Sequence, residues 1–329
     1  MKNETVSSIG EFGIIEIIKR KFAVFSHNKS IITGIGDDCF CFKMGKSTVC
    51  ITKDMLIENV HFRKDWITAK ELGQKAIEVN ISDVAAMGNV EPKYAFIGLG
   101  VPYNTSKKFI EDLADGFDKS CKKYKMAIAG GDTVKAEKIT ISVTIIVITK
   151  DKIIKRICAK PGDLIGVTNT FGDAGAGVSL LYKYGTKHKY SKEERLLIYK
   201  QNNPIARLNE AHKIAKYLTS LTDASDGLYI SVGLLTKDSG FGANVYVDKI
   251  PLSSSLKKVF KDKKKQLNFA LFGGEDYELV LTVPKSKAQI VQKLVPQVIY
   301  IGEINTLKEI RYFNNGKEQK IKYLGFKHF

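Results

Sequence analysis

The sequence predicts an α+β chain folded as two domains, residues 1–150 and 151–329. Three observations lead there. The 329 residues, 44% of them hydrophobic and 26% charged, suffice for two globular cores of ordinary size. Runs with strand character alternate with runs of helical spacing along the whole length. The turn signal "KPGD" (Lys160–Asp163) breaks that pattern near the middle, so the two units meet around Asp151–Lys160.

Residues Glu11–Lys21 read as a helix, and "STVCITKDML" (Ser47–Leu56) as a strand ending in a charged loop. "TAKELGQKAIEVNISDVAAMG" has helical spacing, with Thr68 as N-cap and Gly88 as stop. "YAFIGLGVP" is a strand, Thr105–Tyr124 an amphipathic helix, and "MAIAGGDT" a strand running into a glycine turn. "KITISVTIIVITK" is apolar enough to predict a strand buried on both faces. In the second half "LIGVTN" is a strand, followed by helices at Gly175–Tyr184, Lys192–Gln201 and Ile205–Tyr217. "LTDASDGL" opens a further helix, "GANVYV" is a strand, and "ALFGGEDYELVLTVP" is a turn followed by a strand.

The net charge of +17 comes mostly from lysine, with one dense run at Lys257–Lys265. No Cys/His finger, basic tail or aromatic-and-basic motif accompanies it. That weighs against nucleic acid as partner and leaves a solvated surface that also attracts phosphates. The five cysteines are odd in number and form no C-x-x-C pair, which points to a reducing compartment. Three of them sit in apolar stretches as small hydrophobes. "MKNETVSSIGEFG" has no signal-peptide core, and "ITISVTIIVIT" is too short to span a membrane, so a cytoplasmic location is expected.

Against this basic background, carboxylates recur beside small residues at strand ends and turns. They are Gly36-Asp37-Asp38, Lys53-Asp54, Ser82-Asp83, Gly130-Gly131-Asp132, Asp223-Ala224-Ser225-Asp226-Gly227 and Gly273-Gly274-Glu275-Asp276. Any one of them could be a turn or helix cap. Brought together they repel one another, and shared divalent cations relieve the repulsion. Hard oxygen donors suit Mg²⁺, which holds polyphosphates. "GKS" at Gly45–Ser47 is not a Walker A loop, because Phe40 stands where the first glycine belongs. The glycine-rich and catalytic loops of protein kinases are also missing, so a nucleotide here would be held mainly through metal.

"GIGDDC", "TKDMLIENVHF", "KAIEVNISDVAAMG", "AGGDT", "DASDGL" and "FGGEDYEL" occur in this order. Together they resemble the thiamine-monophosphate kinases of the PurM-like (aminoimidazole ribonucleotide synthetase-like) superfamily, from about Ser8 to the C-terminal "GFKHF". The resemblance implies an N-terminal mixed sheet with helices that pairs in a homodimer, and a C-terminal α/β sandwich domain that closes the site. It implies transfer of the γ-phosphate of ATP to thiamine monophosphate with several Mg²⁺ ions. By motif, Asp37, Thr52, Asp54, Asp83, Asp132, Asp223 and Asp226 resemble metal ligands, and Gly131, Asp132, Arg156 and Ser225 resemble ATP contacts. His61 and Glu275 resemble substrate contacts, with Tyr323 or Phe326 as the aromatic against the substrate. Lys53 stands where the family usually has a small hydroxyl residue. A metal held there by the backbone carbonyl tolerates lysine, and one held by a side-chain oxygen would be weakened. The remaining readings are another ATP-using PurM-like enzyme and a basic metal- or nucleic-acid-binding protein. The selenophosphate-synthetase type would want a cysteine near the N-terminus, but none precedes Cys39. The hydrogenase-maturation type would want a C-terminal cysteine, and the chain ends "KHF".

Overall fold

In a computed structural model, which describes residues 5–21, 28–237, 239–323 and 325, the chain builds two mixed sheets, each with its own helices. The first half runs α1 (Val6–Lys21), β1 (Ile31–Thr33), β2 (Phe40–Met44), β3 (Ser47–Ile57), α2 (Ala69–Ala86), β4 (Pro92–Val101), α3 (Lys107–Lys123), β5 (Ala127–Lys135) and β6 (Thr140–Thr149). Its sheet has the order β1-β2-β3-β6-β4-β5, antiparallel except for the β4–β5 pair.

The second half runs β7 (Leu164–Thr168), α4 (Asp173–Tyr184), α5 (Lys192–Asn202), α6 (Leu208–Ile214), β8 (Ser220–Asp223), α7 (Leu228–Lys237) and β9 (Gly242–Tyr246). It continues with α8 (Ser254–Val259), α9 (Lys263–Phe272), β10 (Leu279–Val283), α10 (Lys285–Leu294), β11 (Val298–Asn305), β12 (Ile310–Asn314) and β13 (Lys317–Gln319). Its sheet has the order β13-β12-β9-β11-β7-β10-β8. The α+β reading holds for both halves.

α2 is the element both halves share. Thr68 and Glu71 form a capping box at its start, and Gly88 takes φ +94° just past its end. The Glu78 carboxylate accepts from Tyr124 Oη (2.6 Å) and Lys123 Nζ (2.8 Å) on one side and from the Ala206 N–H (3.0 Å) on the other. One apolar core accordingly runs from Cys41, Ile77 and Ile145 through to Ile214, Leu281 and Val291.

Three expectations need correction. The glycines of "AGGDT" make no turn, because β5 continues through them to Lys135. Gly131 is required there by close approach: a Cβ would lie 1.9 Å from the Ile97 carbonyl oxygen of β4. β6 is buried on one face only, since Ile141, Val143, Ile145 and Val147 point at the helices while Ile148 is exposed on the other side. Met55, Tyr94, Phe96 and Val134 are also exposed on that other face. Finally, four cysteines rather than three are buried (Cys39, Cys41, Cys50, Cys121), and Cys158 is exposed.

Candidate active site

Between the halves lies a cleft of about 1270 Å³. Its acidic floor is assembled from three local structures. The loop before β2 brings Asp37 and Asp38, β3 brings Thr52 and Asp54, and the last turns of α2 bring Asp83. Alternation along β3 puts Thr52 and Asp54 on the helix side. Asn80, one turn before Asp83, clips strand to helix: its Oδ1 accepts from the Asp54 N–H at 3.0 Å while its Nδ2 donates to the Ala76 carbonyl at 3.0 Å. Thr52 Oγ1 donates to Asp83 Oδ2.

The second half adds Asp223 at the end of β8, whose Oδ2 accepts from Ser82 Oγ at 2.7 Å. Asp38, Asp83 and Asp223 each present a carboxylate oxygen within 4.8 Å of the others. Arg156, in the short turn Arg156–Cys158, faces the cluster. Its Nε donates to Asp38 Oδ2 at 3.0 Å, its Nη2 to Asp38 Oδ1, and its Nη1 to the Gly36 carbonyl at 3.3 Å.

One guanidinium does not neutralise so many carboxylates. Burial, and then the charge of Asp38, push Asp37 up to about 6. Burial and then Asp226 and Asp38 push Asp54 up to about 6. Asp223 rises to about 8, through burial and Asp38, although Ser82 and Arg156 oppose the rise. Asp83 is raised well above the usual range by burial and by Asp54, Asp223 and Asp38. An all-oxygen set that resists ionising alone is the donor chemistry of a hard divalent cation, and the residues fit Mg²⁺.

His61 also borders the cleft, and its Nδ1 accepts from the Ile57 N–H at 3.0 Å, which leaves the ring proton on Nε2. Ser225 and Asp226 border it from the loop after β8. The Gly273–Glu278 loop is clamped onto that loop: the Glu275 N–H donates to the Ser225 carbonyl at 2.6 Å and the Tyr277 N–H to the Ala224 carbonyl at 3.1 Å. Both residues take positive φ (+58° and +50°), a strained backbone that this clamp holds in place. Tyr323 lines the cleft and packs on Tyr229 and Phe272 at centroid distances of 5.4 and 5.6 Å. Phe326 lies outside the described residues.

Not every sequence candidate converges here. Lys53 borders the cleft, but its side chain is exposed on the face of β3 opposite Thr52 and Asp54. Gly131 and Asp132 sit on the exposed edge strand β5 and do not line the cleft. The register row Asp54–Val143–Ile97–Gly131 puts Gly131 three strands away from Asp54, ~14 Å at the usual strand spacing. The side chain of Asp132 shares the open sheet face with Met55, and its Oδ1 accepts from the Thr133 N–H at 2.9 Å.

Conversely, the structure adds Asp38, Lys75 and Gln201 to the site. Asp38 was visible as the second half of the "GDD" doublet. Lys75 could have been suspected from its place one and two helical repeats before Val79 and Asp83, on the same face of α2. Gln201 carried no signal.

The chain matches the family model "AIR synthase related protein, N-terminal domain" over residues 36–149 and its C-terminal counterpart over residues 160–312. It is 35% identical over 326 residues to the thiamine-monophosphate kinase of Aquifex aeolicus, covering 98% of this chain and 99% of that one. It is 36% identical over 305 residues to the enzyme of the same name from Buchnera aphidicola subsp. Acyrthosiphon pisum, covering 91% and 93%. Among solved structures, one described as "AaThiL complexed with AMPPCP and TMP" superposes with a TM-score of 0.88 at 34% identity, covering all of both chains. Similarity of this extent runs through both sheets and the cleft between them, and the chain belongs to the thiamine-monophosphate kinase family.

Proposed function

We propose that the chain phosphorylates thiamine monophosphate to thiamine diphosphate with ATP. The observation that carries this reading is the carboxylate cluster at the floor of a cleft shared by both halves, in a chain related over its full length to enzymes of that name. Asp37, Thr52, Asp54, Asp83, Asp223 and Asp226 are the residues that would hold Mg²⁺, with Asp38 beside them. When bound, Mg²⁺ supplies charge neutralisation to the phosphates.

Arg156 and Ser225 border the cleft where the nucleotide phosphates would sit. Arg156 is already oriented by Asp38, so its fork needs little ordering to meet a phosphate oxygen. His61 and Glu275 face the acceptor, and Tyr323 supplies an aromatic wall. A terminal oxygen of the acceptor phosphate attacks the γ-phosphorus in line. That oxygen is largely deprotonated near neutral pH, so no protein base is called for and no phosphoenzyme forms.

We place the border between the two domains at 150/151. We also propose that two copies pair over the open face and edge of the first sheet. Gly131 and Asp132 lie there, so the nucleotide and metal contacts proposed for them fall at the interface between copies. No helix among the described residues is long and apolar enough to cross a membrane, and a cytoplasmic location is proposed. The test is phosphate transfer from ATP with Mg²⁺ to thiamine monophosphate and, separately, to free thiamine. Thiamine diphosphate formed from the monophosphate alone is expected. Transfer to neither would overturn the substrate assignment.

A further inference from the structure

One wall of the cleft carries polar groups that the phosphate chemistry does not use. Lys75 is 1% exposed, yet its Nζ donates to the Gln201 carbonyl at 3.0 Å and to Glu275 Oε2 at 3.1 Å. Gln201, at the end of α5 and 6% exposed, donates its Nε2 to the same Glu275 oxygen. That bond fixes which way the amide faces, because the flipped amide would set its carbonyl against a carboxylate.

With Nε2 committed to Glu275, Gln201 Oε1 remains. It is buried and has no hydrogen-bond donor among the described residues. A buried acceptor left unpaired is costly, and in a binding cleft a donor on the ligand can satisfy it.

The surroundings narrow the ligand. Asn202, the next residue, donates Nδ2 to the Trp66 carbonyl at 2.6 Å. The Trp66 ring meets Tyr182 edge-on at 4.7 Å, and both rings line the same cleft as Gln201. Aromatic faces next to an unpaired acceptor suit a flat heteroaromatic ring bearing an N–H donor. Lys75 compensates the charge of Glu275, so this wall selects by hydrogen-bond direction more than by net charge.

We propose that Gln201 is a specificity-determining residue whose Oε1 accepts a hydrogen bond from the exocyclic amine on the ring of the phosphate acceptor, with Lys75 as the residue that positions Gln201 and Glu275. The inference rests on the reading of the acceptor as thiamine monophosphate, whose pyrimidine ring carries such an amine. A ring with an oxygen acceptor in its place would leave two acceptors facing each other.

The test compares thiamine monophosphate with oxythiamine monophosphate, in which a carbonyl oxygen replaces that amine, using the full-length enzyme with ATP and Mg²⁺. Wild type is expected to favour the amine by at least 100-fold in kcat/KM, because a site built for a donor rejects its replacement by an acceptor. Gln201→Met keeps the volume and loses both the Oε1 acceptor and the Nε2 donor to Glu275. It should lower kcat/KM for the amine about ten-fold without lowering it for the oxo compound, which no longer meets an opposing acceptor, so that discrimination shrinks by at least that factor. Trp66 is the chain's one tryptophan, and its fluorescence reads binding of each compound without turnover.

Equal use of the two substrates by wild type would overturn the proposal without any variant. So would a Gln201→Met enzyme in which both substrates fall by the same factor, the mark of a merely structural role. No transfer to either compound and no Trp66 response would overturn the substrate assignment itself, and this inference with it.

Discussion

Replacing Lys75 by methionine isolates the buried contact that joins α2 of the first half to α5 and the Glu275 loop of the second. The side chain is 1% exposed, and its ammonium makes two hydrogen bonds, to the Gln201 carbonyl and to a carboxylate that is itself 24% exposed. Two charge-assisted bonds at about 1.5–3 kcal/mol each set the upper range of the loss. Methionine recovers part of it through apolar packing, and Glu275 keeps its bond from the Gln201 amide. The net expectation is a loss of about 3 kcal/mol, in the range seen when one partner of a buried pair is removed. Urea unfolding of Lys75→Met, Glu275→Gln and the double variant measures it, with a coupling energy of about 1.5–3 kcal/mol between the two positions. A single-variant loss below about 1 kcal/mol, or strictly additive losses, would refute the reasoning.

The acidic floor should make metal-free protein less stable as pH rises. Folded Asp37 and Asp54 sit at about 6 and Asp223 at about 8 against 3.8 for the ordinary group, so folding favours their protonated forms. The unfolded chain releases those protons near pH 4, and the penalty grows as pH climbs through 6 and then 8. Thermal melts in EDTA should therefore fall between pH 5 and 8, with Mg²⁺ restoring more at pH 8 than at pH 5; melts indifferent to Mg²⁺ would contradict the cluster's role. Asp83→Asn keeps the shape at the junction of Thr52, Asp54 and Asp223 but removes the charge, and should cut kcat by roughly 10³-fold, several kcal/mol of lost charge stabilisation, with an unchanged circular dichroism spectrum. Gly73→Ala tests the α2–α3 crossing, where a Cβ would lie 2.2 Å from the Leu113 carbonyl and 3.0 Å from Gly116 Cα. Such overpacking should cost about 3 kcal/mol in urea unfolding, and a neutral result would mean that the helices separate freely.

Much of this site is legible in the sequence. The capping box of α2, the alternation that turns Thr52 and Asp54 inward, and the glycine-flanked carboxylates are local patterns, set by a repeat of 3.6 or 2 residues and by the chemistry of neighbouring side chains. The order of the motifs was enough to state the resemblance. Other features had no local signature. The extension of β5 through Gly130–Gly131 depends on the approach of Ile97, and the open face of β6 depends on what does not cover it. Asp132 shares its motif chemistry with the other ligands, but its strand carries it to the far edge of the sheet. The Lys75–Gln201–Glu275 network joins residues 126, 200 and 74 positions apart. The sequence by itself determined many of the elements, the family and the acidic chemistry, because hydrogen-bonded periodicity and motif composition are written within a few residues. Only the tertiary structure decided which buried polar groups find partners and which, Gln201 Oε1 among them, do not, because desolvation acts on groups brought together from distant parts of the chain.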